Sequence, residues 1–168
     1  LVVAPLNALQ PLFEVVVATR DWHLINTVHF AKNHPKGEGW PVHCVRGTIG
    51  AEFHSDLNIY HKTVKLYKGT DPRDAGGYSG FDGLSVDGEP LEKILKKNGI
   101  TRVFVGGLAT DYCVGNTVLD ALRLGFEVVV VTDAVRAVNW PEPNRGEIWI
   151  EKMKNAGAVF LTSGEILR

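Results

Sequence analysis

The sequence predicts a three-layer α/β/α fold around a central, mostly parallel sheet. Three observations carry that prediction. Short apolar runs alternate with stretches of helical period along most of the chain, the arrangement of a parallel sheet covered by helices. Two runs, residues 14–19 and 127–132, are β-branched and apolar on both parities, which suits strands buried on both faces. Gly99, Gly125 and Gly157 stand where the intervening helices should stop.

In chain order, residues 1–3 read as the end of a strand, cut off by Ala4-Pro5. Across residues 5–13, Leu6, Leu9, Leu12 and Phe13 fall at helical spacing, with proline at a tolerated first-turn position. The strand at 14–19 follows. A long polar connection comes next, carrying Arg20-Asp21-Trp22-His23, His29, His34 and Trp40-Pro41-Val42-His43-Cys44. Connections of that length without a clear period are usually functional. Residues 63–67 read as another strand, with Lys68-Gly69 directly after it, and residues 71–88 are irregular. A helix starts at Pro90 and closes at Gly99. The strand at 102–105 leads through Gly106-Gly107 to a helix over 114–124. Residues 127–132 are a strand, 145–156 a helix and 159–161 a last strand. No repeat or linker interrupts the chain, so one domain is expected over residues 1–168.

Composition excludes several function classes. Of 168 residues, 45% are hydrophobic and 22% charged, and net charge is -1. There is no general basic field for nucleic acid or an anionic membrane. Two cysteines make no disulfide framework and suit a reducing compartment. No apolar run reaches the roughly eighteen residues of a membrane span. The start lacks the basic region and cleavage site of a secretory signal, and a cytoplasmic protein is expected.

The candidate site comes from topology. In parallel sheets, ligands bind beyond the carboxyl ends of the strands. Asp21 and His23 follow one strand, Lys68 a second and Cys113 a third, so all should meet on one sheet edge. Cys113 falls near a helix start, where the helix dipole favours thiolate, the nucleophilic form. Asp21 and His23, two apart in an extended segment, point to one side. With His29 and His43 they offer nitrogen and oxygen donors that suit Zn²⁺ and would also accept Fe²⁺ or Mn²⁺. His34, His54 and His61 read as surface histidines. Trp22 reads as loop packing.

Six ordered segments carry a family resemblance: Ala18-Thr19-Arg20-Asp21-Trp22-His23, Trp40-Pro41-Val42-His43-Cys44, Gly47-Thr48-Ile49-Gly50-Ala51-Glu52-Phe53, Tyr67-Lys68-Gly69, Tyr78-Ser79-Gly80-Phe81 and Gly107-Leu108-Ala109-Thr110-Asp111-Tyr112-Cys113. The chain resembles the isochorismatase-like cysteine hydrolases, and within them the nicotinamidase/pyrazinamidase branch. The resemblance implies the isochorismatase-like hydrolase fold and hydrolysis of nicotinamide, or pyrazinamide-like amides, to the acid and ammonia through a thioester. It implies Cys113 as nucleophile, Lys68 as its partner, and an oxyanion hole of the Ala109 and Cys113 backbone N–H groups beside a cis peptide between Leu108 and Ala109. It implies Asp21, His23, His43 and His29 as ligands of one divalent metal ion, zinc before iron or manganese. Trp40, Tyr78 and Leu108 would bind a pyridine carboxamide substrate. Family members often form homo-oligomers. The alternatives are another amide hydrolase of this fold, or an inactive metabolite-binding relative.

One departure bears on the last alternative. The family carries a catalytic Asp at the end of its first strand, yet no Asp precedes Asp21 here. If residues 1–3 are that strand, the Asp-bearing segment belongs between Val3 and Ala4.

Overall fold

The computed structural model describes residues 2–74 and 76–168. The described chain opens on a helix, α1 (Val3–Leu9), and a 3₁₀ turn, Gln10–Leu12. The strand expected at residues 1–3 is therefore not there: Val3 and Ala4 are consecutive residues of one helix, and Leu1 lies outside the described residues. The pair Val2-Val3 resembles strand composition, but the apolar stripe through Leu6 and Leu9 decides the outcome. Packing overrides β propensity.

The expected alternation then follows. β1 is Val17–Asp21, β2 Val64–Lys68, β3 Leu84–Ser85 and α2 Leu91–Lys97. β4 is Arg102–Leu108, α3 Gly115–Arg123, β5 Glu127–Arg136 and α4 Arg145–Asn155. β6 (Val159–Leu161) and a short α5 (Ser163–Ile166) close the chain. β1 starts three residues later than expected and carries Asp21 as its last residue. β4 runs on through both glycines. The sequence reading missed β3 and α5, which are too short to show a period.

The strands form two three-stranded sheets, ordered β1-β2-β3 and β4-β5-β6. All pairs are parallel except β2 with β3. An apolar cavity of about 290 Å³ lies between β1 and β4, lined by Phe13, Val17, Phe81, Leu95, Val103 and Val105. Among the described residues no strand pairs with the open edge of β1 or of β4.

β5 explains the layers. Val128 and Val130 face one way, into a core with Leu66, Ile94, Val118, Ala121 and Met153. Val131 and Ala134 face the other way, onto Leu9, Leu6 and Ile166. Both faces of one strand are covered, as its β-branched run predicts. No helix among the described residues is long and apolar enough to cross a membrane.

Candidate active site and metal centre

Register builds the site first. β1 and β2 are parallel with Asp21 directly opposite Lys68, so both side chains leave the same face at the strands' carboxyl ends. Lys68 Nζ is ion-paired with Asp21 Oδ1. It also lies 3.2 Å from Cys113 Sγ. Lys68 is 4% exposed, and a buried ammonium needs such partners. The pair sets the Asp21 charge: burial pushes the carboxyl up, but the adjacent Lys68 outweighs it and holds Asp21 below the ordinary carboxylate range.

Cys113 arrives from the other sheet. β4 ends at Leu108, and the Leu108–Ala109 peptide is cis. A single π-helical turn, Thr110–Val114, then carries Cys113, closed by Val114 N–H donating to the Ala109 carbonyl at 3.0 Å. Such turns frequently mark functional positions. The regular helix begins only at Gly115, so Cys113 sits inside the π turn, two residues ahead of that helix. The expected thiolate preference is not met in this state. Burial pushes the Cys113 thiol up, and Lys68, its hydrogen bond and that of the Ala109 backbone pull it down only in part, while Asp21 pushes it further up.

The histidines gather beside this group. Ring nitrogens of His23, His29 and His43 all lie within 4.8 Å of one another. His23 Nδ1 faces the Gly69 carbonyl at 3.0 Å, which fixes Nδ1 as the protonated nitrogen and leaves Nε2 with a lone pair. That Nε2 is buried with no hydrogen-bond partner. Burial lowers the His23 pKa to about 4, against the pull of Asp21, with His29 and His43 adding to the drop. A neutral, buried, unpartnered nitrogen on a ring packed against two other imidazoles is what a metal ligand requires. The donor set fits a borderline-soft divalent ion such as Zn²⁺. Gly69 is part of the device: its φ is +65°, and a Cβ there would stand 2.5 Å from His23 Nδ1.

Asp21, expected as a fourth ligand beside the three histidines, stands at the edge of their cluster. It groups with His43 and Cys44 rather than with all three histidines, and its Oδ1 is ion-paired with Lys68. Cys44, to which no role is assigned from sequence, holds a left-handed conformation at φ 44° and offers its sulfur within 4.8 Å of donor atoms of Asp21 and His43.

Asp21, Lys68, Cys113 and the three histidines line a cavity of about 340 Å³, together with Trp40, Tyr78, Leu108 and Ala109. Trp40 Nε1 donates to the Tyr78 hydroxyl at 2.9 Å. The Trp40 ring meets Tyr112 at 4.7 Å and Trp140 at 5.4 Å. Aromatic walls around a few convergent polar groups suit a flat ligand. Trp22 packs instead on Tyr67 at 5.4 Å, as loop packing. His34, His54 and His61 join no metal-capable group among the described residues.

Sequence reasoning missed two supports. Asp111 is fully buried and accepts from the backbone N–H groups of Val138 and Asn139 at 2.9 and 2.8 Å. Val138 lines the cavity. Trp140 packs on Trp40 from outside the cavity, and its carbonyl accepts from the Tyr112 hydroxyl. Nothing local marks either residue, since both act across about 28 residues of chain.

Known proteins match this arrangement. Nicotinamidase/pyrazinamidase of Mycobacterium tuberculosis is 40% identical over 124 residues, covering 74% of this chain and 65% of that protein. Escherichia coli nicotinamidase is 37% identical over 161 residues, 89% of this chain and 75% of that protein. The chain thus spans about two thirds of the first relative's length. The crystal structure of pyrazinamidase of Pyrococcus horikoshii in complex with zinc superposes with a TM-score of 0.82 at 38% identity, over 96% of this chain and 84% of that one. The family model described as the isochorismatase domain matches residues 7–165. With the match running across both sheets and every residue of the candidate site, the chain belongs to the isochorismatase family.

Proposed function

We propose that the protein is a metal-dependent nicotinamidase, hydrolysing nicotinamide and similar small pyridine carboxamides to the acid and ammonia. The observation that carries this reading is the Lys68–Cys113 pair, 3.2 Å apart, on the wall of an aromatic cavity that also holds three clustered histidines. The relatives named as nicotinamidases and the zinc-bound pyrazinamidase support it.

His23, His29 and His43 would hold the metal ion, which when bound supplies a Lewis-acidic anchor for the pyridine nitrogen. The chain's own residues do the rest. Trp40 and Tyr78, hydrogen-bonded to each other, wall the ring's cavity and exclude water. Cys113 Sγ attacks the amide carbonyl carbon, with the Lys68 ammonium stabilising the thiolate. Backbone N–H groups of Ala109 and Cys113 take the developing oxyanion. The Asp21 carboxylate, ion-paired with Lys68 in the cavity, takes up the thiol proton by way of the Lys68 ammonium, which passes one proton to Asp21 as it receives another. The same relay returns it to the departing nitrogen. Water then cleaves the thioester, releasing the acid and restoring the thiol. Both cysteines are free, which fits a reducing, cytoplasmic setting.

Cys113→Ala tests the reading. Ammonia release from nicotinamide should fall by at least about a thousandfold, while zinc content stays at the wild-type level. Substantial turnover in that variant would remove Cys113 from the role of nucleophile.

A further inference from the structure

Asp21 and Lys68 point into the site, so Arg20 and Tyr67, one residue back on each strand and opposite each other in the register, leave from the far face of the sheet. There the Arg20 guanidinium lies among three rings. Its carbon is 4.3 Å from the centroid of Trp22, 4.9 Å from that of Tyr67 and 5.1 Å from that of Phe53. Nη1 donates to the Ala51 carbonyl at 3.3 Å and is ion-paired with Glu52. Nη2 donates to the Tyr67 hydroxyl at 3.5 Å. The Arg20 side chain is 14% exposed. Trp22 and Tyr67 come with the two strands. Ala51, Glu52 and Phe53 do not: they lie at the end of the limb that begins at His43.

That limb, residues 43–53, is joined to β1 at two places. Near its start, His23 N–H donates to the Cys44 carbonyl at 3.0 Å and Arg46 N–H to the His23 carbonyl at 2.8 Å. At its end it is held by Arg20. Between the two anchors, Arg46 to Gly50 are exposed. The N–H groups of Thr48, Ala51 and Glu52 bond back within the limb, to Val45, Thr48 and Ile49. A segment with few buried contacts has low local stability, so its place depends on its anchors. We propose that Arg20 is a positioning residue of the metal centre: from the back of the sheet it fixes the far end of the limb, and so holds His43 in reach of His23 and His29. The proposal rests on the reading of the three histidines as metal ligands, and adds to them a residue on the opposite face of the sheet.

Arginine suits this task. A planar guanidinium donates in its plane to a carbonyl and a carboxylate while its face lies on aromatic rings. The ammonium of lysine is a compact point charge without such a face. Glu52 is 52% exposed, so its ion pair alone contributes little; the rings and the Ala51 carbonyl carry the hold. His43 has a second hold on its other side. Its Nδ1 faces the Pro41 carbonyl at 2.8 Å, and the Trp40 N–H donates to the His29 carbonyl at 3.0 Å. Loss of Arg20 therefore loosens His43 without removing it from the cluster. The expected loss of zinc affinity is about tenfold, the lower end of what removing an orienting partner costs a metal site.

Zinc affinity, read by competition with a chromophoric chelator, tests this in wild type, Arg20→Ala, His43→Ala and the double variant. Arg20→Ala should bind zinc about tenfold more weakly than wild type. In the His43→Ala background the same change should cost less than about twofold, because no residue orients a ligand that is absent. Arg20→Lys should keep most of the defect. Zinc binding by Arg20→Ala within about twofold of wild type overturns the proposal. So does an equal loss in both backgrounds, or full recovery with Arg20→Lys. Where His43→Ala binds too little zinc to measure, hydrogen exchange of the metal-free protein decides. Residues 43–53 should then exchange faster in Arg20→Ala with β5 unchanged; an unchanged limb, or an equal rise in β5, sinks the idea. If Arg20→Ala does not fold, Phe53→Leu, which takes one ring from the guanidinium, carries the same two readouts with the same expected directions. Nicotinamide turnover at saturating zinc separates the two readings. A wild-type protein that binds zinc but releases no ammonia refutes the substrate and leaves the positioning of His43 standing, whereas one that binds no zinc overturns both the metal reading and this proposal.

Discussion

Gly69→Ala is the perturbation whose consequences the structure constrains most tightly. Two effects add. Gly69 has φ +65°, and an L-residue in that region costs about 1–2 kcal/mol. The new methyl would also stand 2.5 Å from His23 Nδ1, where ordinary contact starts at 3.4 Å. His23 Cε1 would be nearer still, at 2.3 Å, so the imidazole must withdraw by roughly 1.1 Å, far beyond the ~0.2 Å tolerance of a metal–ligand distance. It also loses its 3.0 Å bond to the Gly69 carbonyl, which fixes the tautomer. Loss of such an orienting partner lowers metal affinity about 10- to 100-fold, and displacing the ring should reach the upper end. Zinc affinity is read by competition with a chromophoric chelator, and stability by urea unfolding of metal-free protein. Gly47→Ala is the control: its φ is +77°, and nothing lies within 4 Å of a Cβ there. Both variants should lose about 1–2 kcal/mol of stability, but only Gly69→Ala should lose zinc. If Gly69→Ala binds zinc within about threefold of wild type, His23 is not a ligand held by this contact.

Three further outcomes follow from other parts of the fold. Leu66→Ala, at a fully buried position on β2, should cost about 2–5 kcal/mol in urea unfolding. Asp111→Asn keeps one acceptor for the two N–H groups of Val138 and Asn139 and turns an NH₂ toward the other. It should lose about 1–3 kcal/mol and raise KM for nicotinamide more than it lowers kcat, because Val138 lines the cavity; an unchanged KM would free that wall from Asp111. Asp133 is held below its ordinary value of 3.8 by hydrogen bonds from the Ser163 side chain and backbone. A depressed carboxyl contributes stability that is full above the unfolded value and lost as pH falls through the folded one. Hydrogen exchange in Ser163–Ile166 should therefore rise as pH drops below about 3.8, relative to β5, and Asp133→Ala should show that looser helix at neutral pH.

Much of this protein is legible before folding. The run Val128 to Val131 is apolar on both parities, and only a strand covered on both faces satisfies it. The helices at 91–97, 115–123 and 145–155 announce themselves by period and by the glycines that end them. The chemistry-bearing residues are also visible, because Asp21, His23, Lys68 and Cys113 each follow a strand and must share its end. What local pattern misreads is the first turn, where Val2-Val3 looks like a strand and the packing of Leu6 and Leu9 makes a helix.

Tertiary structure alone decides the allegiances. Nothing at position 21 says whether its carboxylate serves a metal or a lysine 47 residues away. The register of β1 against β2, which sets Asp21 opposite Lys68, settles that it touches the lysine. The state of the Cys113 thiol is likewise a sum over burial, Lys68 and Asp21, and none of those is a property of its own neighbours in sequence. Side-chain type and spacing determine which reactive groups reach one sheet edge. Charge state and partnership depend on distances of a few ångströms between residues far apart in the chain, and those distances exist only once the sheets have paired.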